Sequence, residues 1–141
     1  MAQKHSGISN TTGTFNVALG YQVLQTNTSG GYNIALGSLS LQNNTTGSSN
    51  IALGHVSLQS NTTGTSNIAL GISGLQNNTT GSHNVALGNG SLNDNTSGLY
   101  NVSLGFASMR SNITGSHNIG LGLRSGQYIA DGSANTSGSS S

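Results

Sequence analysis

The chain has 141 residues, of which 4% are charged, and its formal net charge is +1. This length predicts a single domain, and the near-neutral charge disfavours nucleic acid and anionic membrane surfaces as partners. Because the sequence has no cysteine, it excludes a disulfide framework and a thiolate metal site.

The first segment, residues 1–9, precedes the repeats and is predicted to be an N-terminal cap or attachment arm. No apolar run follows Lys4, so the segment is not expected to be a secretory signal. Nowhere does the chain approach the roughly 20 consecutive apolar residues that span a bilayer. We therefore expect synthesis in a cytoplasm and no membrane partner.

From residue 10 to residue 126 the sequence repeats with a fixed period of 17 (33 − 16 = 17, and so on to 118 − 101 = 17). A fixed period without insertions is the signature of a solenoid. The asparagine that opens each repeat is Asn16, Asn33, Asn50, Asn67, Asn84, Asn101 and Asn118. After Gly122 the pattern decays, and residues 127–141 are interpreted as a degenerate terminal repeat with a Gly/Ser-rich tail.

Each repeat is predicted to form one flattened coil of an all-β, parallel β-solenoid. In the second repeat we expect strands over about residues 33–36 and 39–42, where Ile and Leu lie between glycine and Asn-Thr segments. Turns are predicted at Gly37 and at residues 44–47, because glycine and asparagine accept the positive φ of tight corners.

Three apolar columns, formed by equivalent residues of successive coils, are predicted to be the core. The first strand supplies Val17, Ile34, Ile51, Ile68, Val85, Val102 and Ile119, together with Leu19, Leu36, Leu53, Leu70, Leu87, Leu104 and Leu121. The second strand supplies Leu24, Leu41, Leu58, Leu75, Leu92 and Met109.

A column of small residues lies between the two columns of the first strand and is expected to point the opposite way. Its members are Ala18, Ala35, Ala52, Ala69, Ala86, Ser103 and Gly120. Alanine is a poor strand residue, so this column suggests another chain approaching closely, although a tight corner within one chain is the alternative. Thin cores are often stabilised by oligomerisation, and the column is therefore predicted to be a trimer interface.

Columns of equivalent Asn or Gln side chains, which we call amide ladders, are predicted to link successive coils by hydrogen bonds in place of ion pairs. Like charges directly opposite one another destabilise a sheet, whereas neutral amides hydrogen-bond between coils. The expected ladders run from Asn16 to Asn118, from Asn27 to Asn112 and from Gln25 to Gln76.

The run Thr-Thr-Gly-x-x-Asn-Ile-Ala-Leu-Gly at residues 62–71 resembles repeats of phage tail fibres and other phage virion surface proteins. It is more loosely similar to the heads of trimeric autotransporter adhesins. The resemblance covers residues 10–126 and implies a parallel β-roll that assembles as a homotrimer. It also implies a location on the virion surface, with the major capsid protein or another virion protein as partner.

Catalytic and metal-binding patterns are scarce, so a non-enzymatic protein without a cofactor is expected. The only carboxylate side chains are Asp94 and Asp131, and no pair of acid and base is visible. His83 and His117 share a column two coils apart, about 9.6 Å by strand spacing, too far to bind one zinc ion within a single chain. Three copies of one histidine could meet across a trimer axis.

Two variable columns are the predicted partner surface, since exposed aromatic side chains suit sugar or protein contacts. Their ring-bearing members are Phe15, Tyr21, Tyr32, His83, Tyr100, Phe106 and His117. The leading functional prediction is a trimeric capsid decoration or cement protein. The alternative is a segment of a receptor-binding tail fibre or adhesin that contacts host surface glycan. An ice-binding solenoid is a weaker alternative. The two threonine columns, Thr28, Thr45, Thr62, Thr79 and Thr96 beside Ser29, Thr46, Thr63 and Thr80, are adjacent in sequence and lie at a turn, so they cannot share a flat strand face.

Overall fold

The computed structural model describes residues 9–126, so the predictions for residues 1–8 and 127–141 lie outside its description. The described residues form seven short strands and no helix, hence none that could cross a membrane. The strands are β1 (Val17–Leu19), β2 (Ile34–Leu36), β3 (Ile51–Leu53), β4 (Ile68–Leu70), β5 (Val85–Leu87), β6 (Val102–Leu104) and β7 (Ile119–Leu121).

The seven strands form one parallel sheet in chain order, and each residue pairs with its equivalent one repeat later. Ile34 pairs with Ile51, for example, and Ala35 pairs with Ala52. The predicted all-β solenoid with 17-residue coils is thereby confirmed, and so is the first strand of each coil. We number the coils 1 to 7 after the strands that they contain.

The predicted second strand over residues 39–42 is wrong, because this segment is a continuous turn. Leu39 and Leu41 have φ angles of 63° and 47°, in the left-handed region that leucine rarely adopts. The Leu39 N–H donates to Tyr21 O in the preceding coil, whereas the Leu41 N–H donates to Ser57 O in the following coil. In a strand, residues two apart donate toward the same neighbour. Hydrogen bonds to both flanking coils thus hold a conformation that costs roughly 1–2 kcal/mol per residue.

The observed core differs from the predicted core, because the opposite face of each strand lies inside the coil. The column Leu24 to Met109 is buried, as predicted, with relative exposure of 0–2%. Opposite it, the small residues of the strands are also inside, and Ala35, Ala52, Ala69 and Ala86 are fully buried. The two large apolar columns of the strands point outward instead. Their predicted core role is wrong.

The reason is the thinness of the coil. The strand and the turn that carries the leucine column lie so close together that the strand's inward residue must be small. A side chain the size of isoleucine fits only on the outer face, even though this face is not covered by the chain itself.

The amide ladders are confirmed. In the first, Asn50 donates from its backbone N–H and from Nδ2 to Asn33 Oδ1, at 3.0 and 3.2 Å. In the second, Asn61 Nδ2 donates to Asn44 Oδ1 at 2.8 Å. In the glutamine ladder, Gln59 Nε2 donates to Gln42 Oε1 at 2.9 Å. These bonds link each coil to the next without any formal charge.

Glycine closes the turn beside the second ladder. Asn61 Nδ2 donates to the carbonyl oxygen of Gly64 at 3.0 Å, and Asn50 Nδ2 donates to the same oxygen at 2.9 Å. A Cβ atom on Gly64 would overlap Asn61 Oδ1 and the Gly81 carbonyl oxygen. Glycine recurs here because two coils and two amide side chains approach its Cα closely, and its φ is not positive, unlike that of Gly37 at 124°.

Candidate functional site

The predicted trimer interface lies inside the coil. Ala35, Ala52, Ala69, Ala86 and Ser103 have no exposed surface, Gly120 is buried, and Ala18 packs partly buried against the core. No second chain can contact side chains enclosed in this way, so the assignment of these residues to an interface is wrong. Their small size has the other explanation, a close approach within one chain.

The outer face of the sheet is an apolar surface that runs along all seven strands. At its ends Val17, Leu19, Ile119 and Leu121 are 53–62% exposed. In the middle coils the same two columns are half-buried, because neighbouring side chains of one column shield each other. Fourteen large apolar side chains, two on each of seven strands, thus form one continuous outward face. Contiguous exposed apolar surfaces of this kind mark interaction sites.

A column of rings, which we call the ring column, follows one corner of the coils. It consists of Phe15, Tyr32, Ser49, Ser66, His83, Tyr100 and His117 in coils 1 to 7. All seven residues have φ between 56° and 62°, so the backbone presents each side chain in the same way. Sequence reasoning predicted this column as exposed, and it is exposed except at the half-buried Ser66.

The rings of this column stack on one another along the solenoid. Phe15 and Tyr32 have ring centroids 5.0 Å apart, with planes inclined by 20°. Tyr100 lies between His83 and His117, at centroid distances of 4.8 and 5.1 Å. The stack therefore turns ring edges, rather than ring faces, toward the solvent. A sugar that packs on an aromatic face finds both faces of Tyr100 already covered.

The second variable column carries two exposed aromatic side chains. Tyr21 and Phe106, in coils 1 and 6, are 52% and 50% exposed. Ser38, His55, Ile72 and Asn89 lie between them. All seven ring-bearing residues predicted as a partner surface are thus at the surface, and their binding role stays a prediction.

The polar side chains offer little for catalysis or metal binding. Among residues 9–126 there is no group of three or more histidine, cysteine, aspartate or glutamate residues that could hold a metal ion. The described carboxylate, Asp94, accepts a hydrogen bond from Asn77 Nδ2 at 3.3 Å. In the threonine column that contains Thr45 and Thr62, the hydroxyl groups donate hydrogen bonds to the next coil. Thr45 Oγ1 donates to Thr62 O at 3.0 Å, and Thr62 Oγ1 donates to Thr79 O at 3.0 Å. The one proton of each of these hydroxyl groups is therefore already donated within the stack.

No protein-family model matches the sequence, and neither a curated protein nor a solved structure shows significant similarity to the chain. The fold is therefore assigned from the structure alone. The chain is a parallel β-solenoid.

Proposed function

We propose that the protein is a non-enzymatic structural component of a phage particle, a trimeric decoration or cement protein on the capsid surface. The observation that carries the proposal is the continuous apolar outer face on a stack of coils with very few charged residues. Exposed apolar surface of this extent is stabilised by burial against a partner, and a symmetric assembly of identical solenoids would bury it. The resemblance of residues 62–71 to phage virion repeats gives the biological setting.

The proposed trimer is packed through the outer isoleucine/valine and leucine columns rather than through the alanine column. In a cyclic assembly with its axis along the solenoid, each coil meets the equivalent coil of its neighbours. Ile51, Ile68 and Val85 are then buried against their own counterparts, level by level. This arrangement joins every coil of the solenoid to the interface, which suits a chain whose own core contains little more than one large apolar residue and one small residue per coil.

The test of the capsid role is binding to shells that lack the protein. Purified protein is mixed with empty capsids of the source phage, and the capsids are recovered by sedimentation. Saturable binding at a fixed number of copies per capsid supports a decoration protein. Recovery only with tails or fibres instead supports the alternative, a segment of a receptor-binding fibre.

The fibre alternative is favoured by the exposed rings of Tyr21 and Phe106 in the second variable column, and it has its own test. Binding of a labelled trimer to host cells should then fall when cell-surface glycan is removed enzymatically. Unchanged cell binding after this treatment, or no cell binding at all, would contradict a glycan-binding fibre.

A further inference from the structure

The ring column has a gap of two coils. Rings occupy coils 1 and 2, serines occupy coils 3 and 4, and rings occupy coils 5, 6 and 7. The face of Tyr32 that is not stacked on Phe15 looks along the solenoid toward Ser49. The face of His83 that is not stacked on Tyr100 looks back toward Ser66. We call the space between these two ring faces the ring slot.

The dimensions of the slot follow from the coil spacing. Tyr32 and His83 are three coils apart, which at about 4.8 Å per coil places their rings roughly 14 Å from each other. Adjacent rings in the column are separated by 4.8–5.1 Å. Two further rings at this spacing therefore fill the slot and join the two stacks into one. The serine side chains are too short to do so.

Two rings at this separation exist elsewhere in the same column. Phe15 and Tyr32 are 5.0 Å apart, parallel within 20°, and 74% and 62% exposed. Rings two residues apart on one strand would be about 7 Å apart, so an ordinary strand does not supply such a pair. A second β-solenoid with the same coil spacing does.

The geometry points to an antiparallel pairing of two copies of this chain, in which the Phe15–Tyr32 pair of each copy enters the ring slot of the other. A two-fold axis perpendicular to the solenoids, passing between the levels of coils 2 and 3, places Tyr32 of each copy beside Ser49 of the other. It places Phe15 beside Ser66. The ring pattern fits itself under this rotation without a collision.

The result is one continuous stack of ten rings, five from each copy. Tyr32 stacks on Tyr32 of the second copy across the two-fold axis, and Phe15 of each copy stacks on His83 of the other. A parallel neighbour shifted by two coils fits less well, because its His83 would occupy the level of His117. The antiparallel arrangement fills both slots at once.

Association through this edge should be weak. Three new ring contacts form, and offset stacked rings attract one another, but association costs translational and rotational freedom. No formally charged residue lies in the column, so like-charge repulsion does not oppose the contact. We expect a dissociation constant of about 0.1–1 mM. The pairing uses a different edge from the proposed trimer face and does not depend on it.

The first experiment fills the slot from within. Ser49→Phe combined with Ser66→Phe completes the stack inside one copy and should fold, because the same corner carries rings in other coils at the same φ. Ser38→Phe, in the second variable column, is the matched control. Sedimentation velocity up to 1 mM protein should show the wild type and Ser38→Phe doubling in mass from their basic unit, and the filled variant not doubling. Equal association of all three, or no association of the wild type, would overturn the pairing.

The second experiment tests the orientation. Photo-oxidation should couple Tyr32 of one copy to Tyr32 of the other as dityrosine, identified by mass spectrometry of the linked peptides. Tyr32→Phe keeps a ring in the stack and should still associate, but it should lose this cross-link. The slot-filled variant should lose both. Dimer cross-links at Tyr21 or Tyr100 in place of Tyr32 would show that the antiparallel arrangement is wrong.

Discussion

Gly120 lies directly against Met109: a Cβ atom on Gly120 would be 2.5 Å from Cγ and 2.7 Å from Sδ of Met109. The two residues are eleven positions apart (120 − 109 = 11), as are Leu58 and Ala69 in an earlier part of the stack (69 − 58 = 11). Where the turn carries the longer methionine, the strand therefore carries glycine. The pair shows how little room separates the turn of one coil from the strand of the next.

The first prediction concerns this pair. Gly120→Ala should lower the free energy of unfolding by about 1–3 kcal/mol, the usual cost of overpacking a core. Adding Met109→Leu should recover most of the loss, because the double variant reproduces the combination of Leu58 and Ala69. Urea unfolding of the two single variants and the double variant measures the coupling. Losses that simply add would show that the two side chains do not share this space.

The sequence did not indicate which face of each strand lies inside the coil. In Ile34-Ala35-Leu36 the alternation separates two faces, and the strand and its register were predicted from the 17-residue period. The alternation does not say which face is inside. Larger side chains usually bury more surface, which favoured isoleucine and leucine, but the distance across the coil admits only small residues such as alanine.

The turn found in place of the expected second strand could not be predicted, for a different reason. Leu39 and Leu41 adopt positive φ because their N–H groups bond to the two flanking coils. Local propensity strongly disfavours this conformation for leucine, so nothing in the local sequence could indicate it. The amide ladders were predictable, by contrast, because a stacked coil places identical residues one above the other whatever the path of the turn.

The second prediction concerns the buried amides. Asn67→Ala removes the Oδ1 atom that accepts from the Asn84 backbone N–H at 3.0 Å, and it removes the Nδ2 donor to Gly81 O at 2.8 Å. Buried groups left without a partner cost about 1–3 kcal/mol each. Asn77→Ala is the control, because Asn77 is exposed and bonds only weakly to Asp94. Thermal melts should show a much larger fall for Asn67→Ala, and equal falls would contradict a stabilising ladder.

The third prediction separates assembly from folding on the two faces of one strand. Ile68→Asp places a charge on the outer face, where it would be buried and unpaired in the proposed trimer, so the trimer should dissociate while each chain stays folded. Ala69→Leu overfills the interior and should destabilise the chain itself by about 1–3 kcal/mol.

Light scattering and circular dichroism on the same samples distinguish these two effects. A trimeric wild type that remains trimeric with Ile68→Asp would exclude the outer face as its interface. A wild type that is monomeric at all concentrations would remove the proposed trimer altogether.

The last prediction concerns register along the whole stack. Deleting residues 51–67 removes one full repeat and joins Asn50 to Ile68, so every column stays aligned. Because each repeat of a solenoid contacts only its neighbours, the shortened chain should fold, and its stack should be shorter by about 4.8 Å. Deleting residues 51–58 instead sets the inward leucines of later coils against polar turn positions, which moves apolar side chains to the solvent side. Circular dichroism and thermal unfolding should therefore show a cooperative transition for the first deletion and none for the second. If both deletions unfolded the chain equally, the coil would not be an independent repeating unit, since a stack held by neighbour contacts tolerates the loss of one whole member.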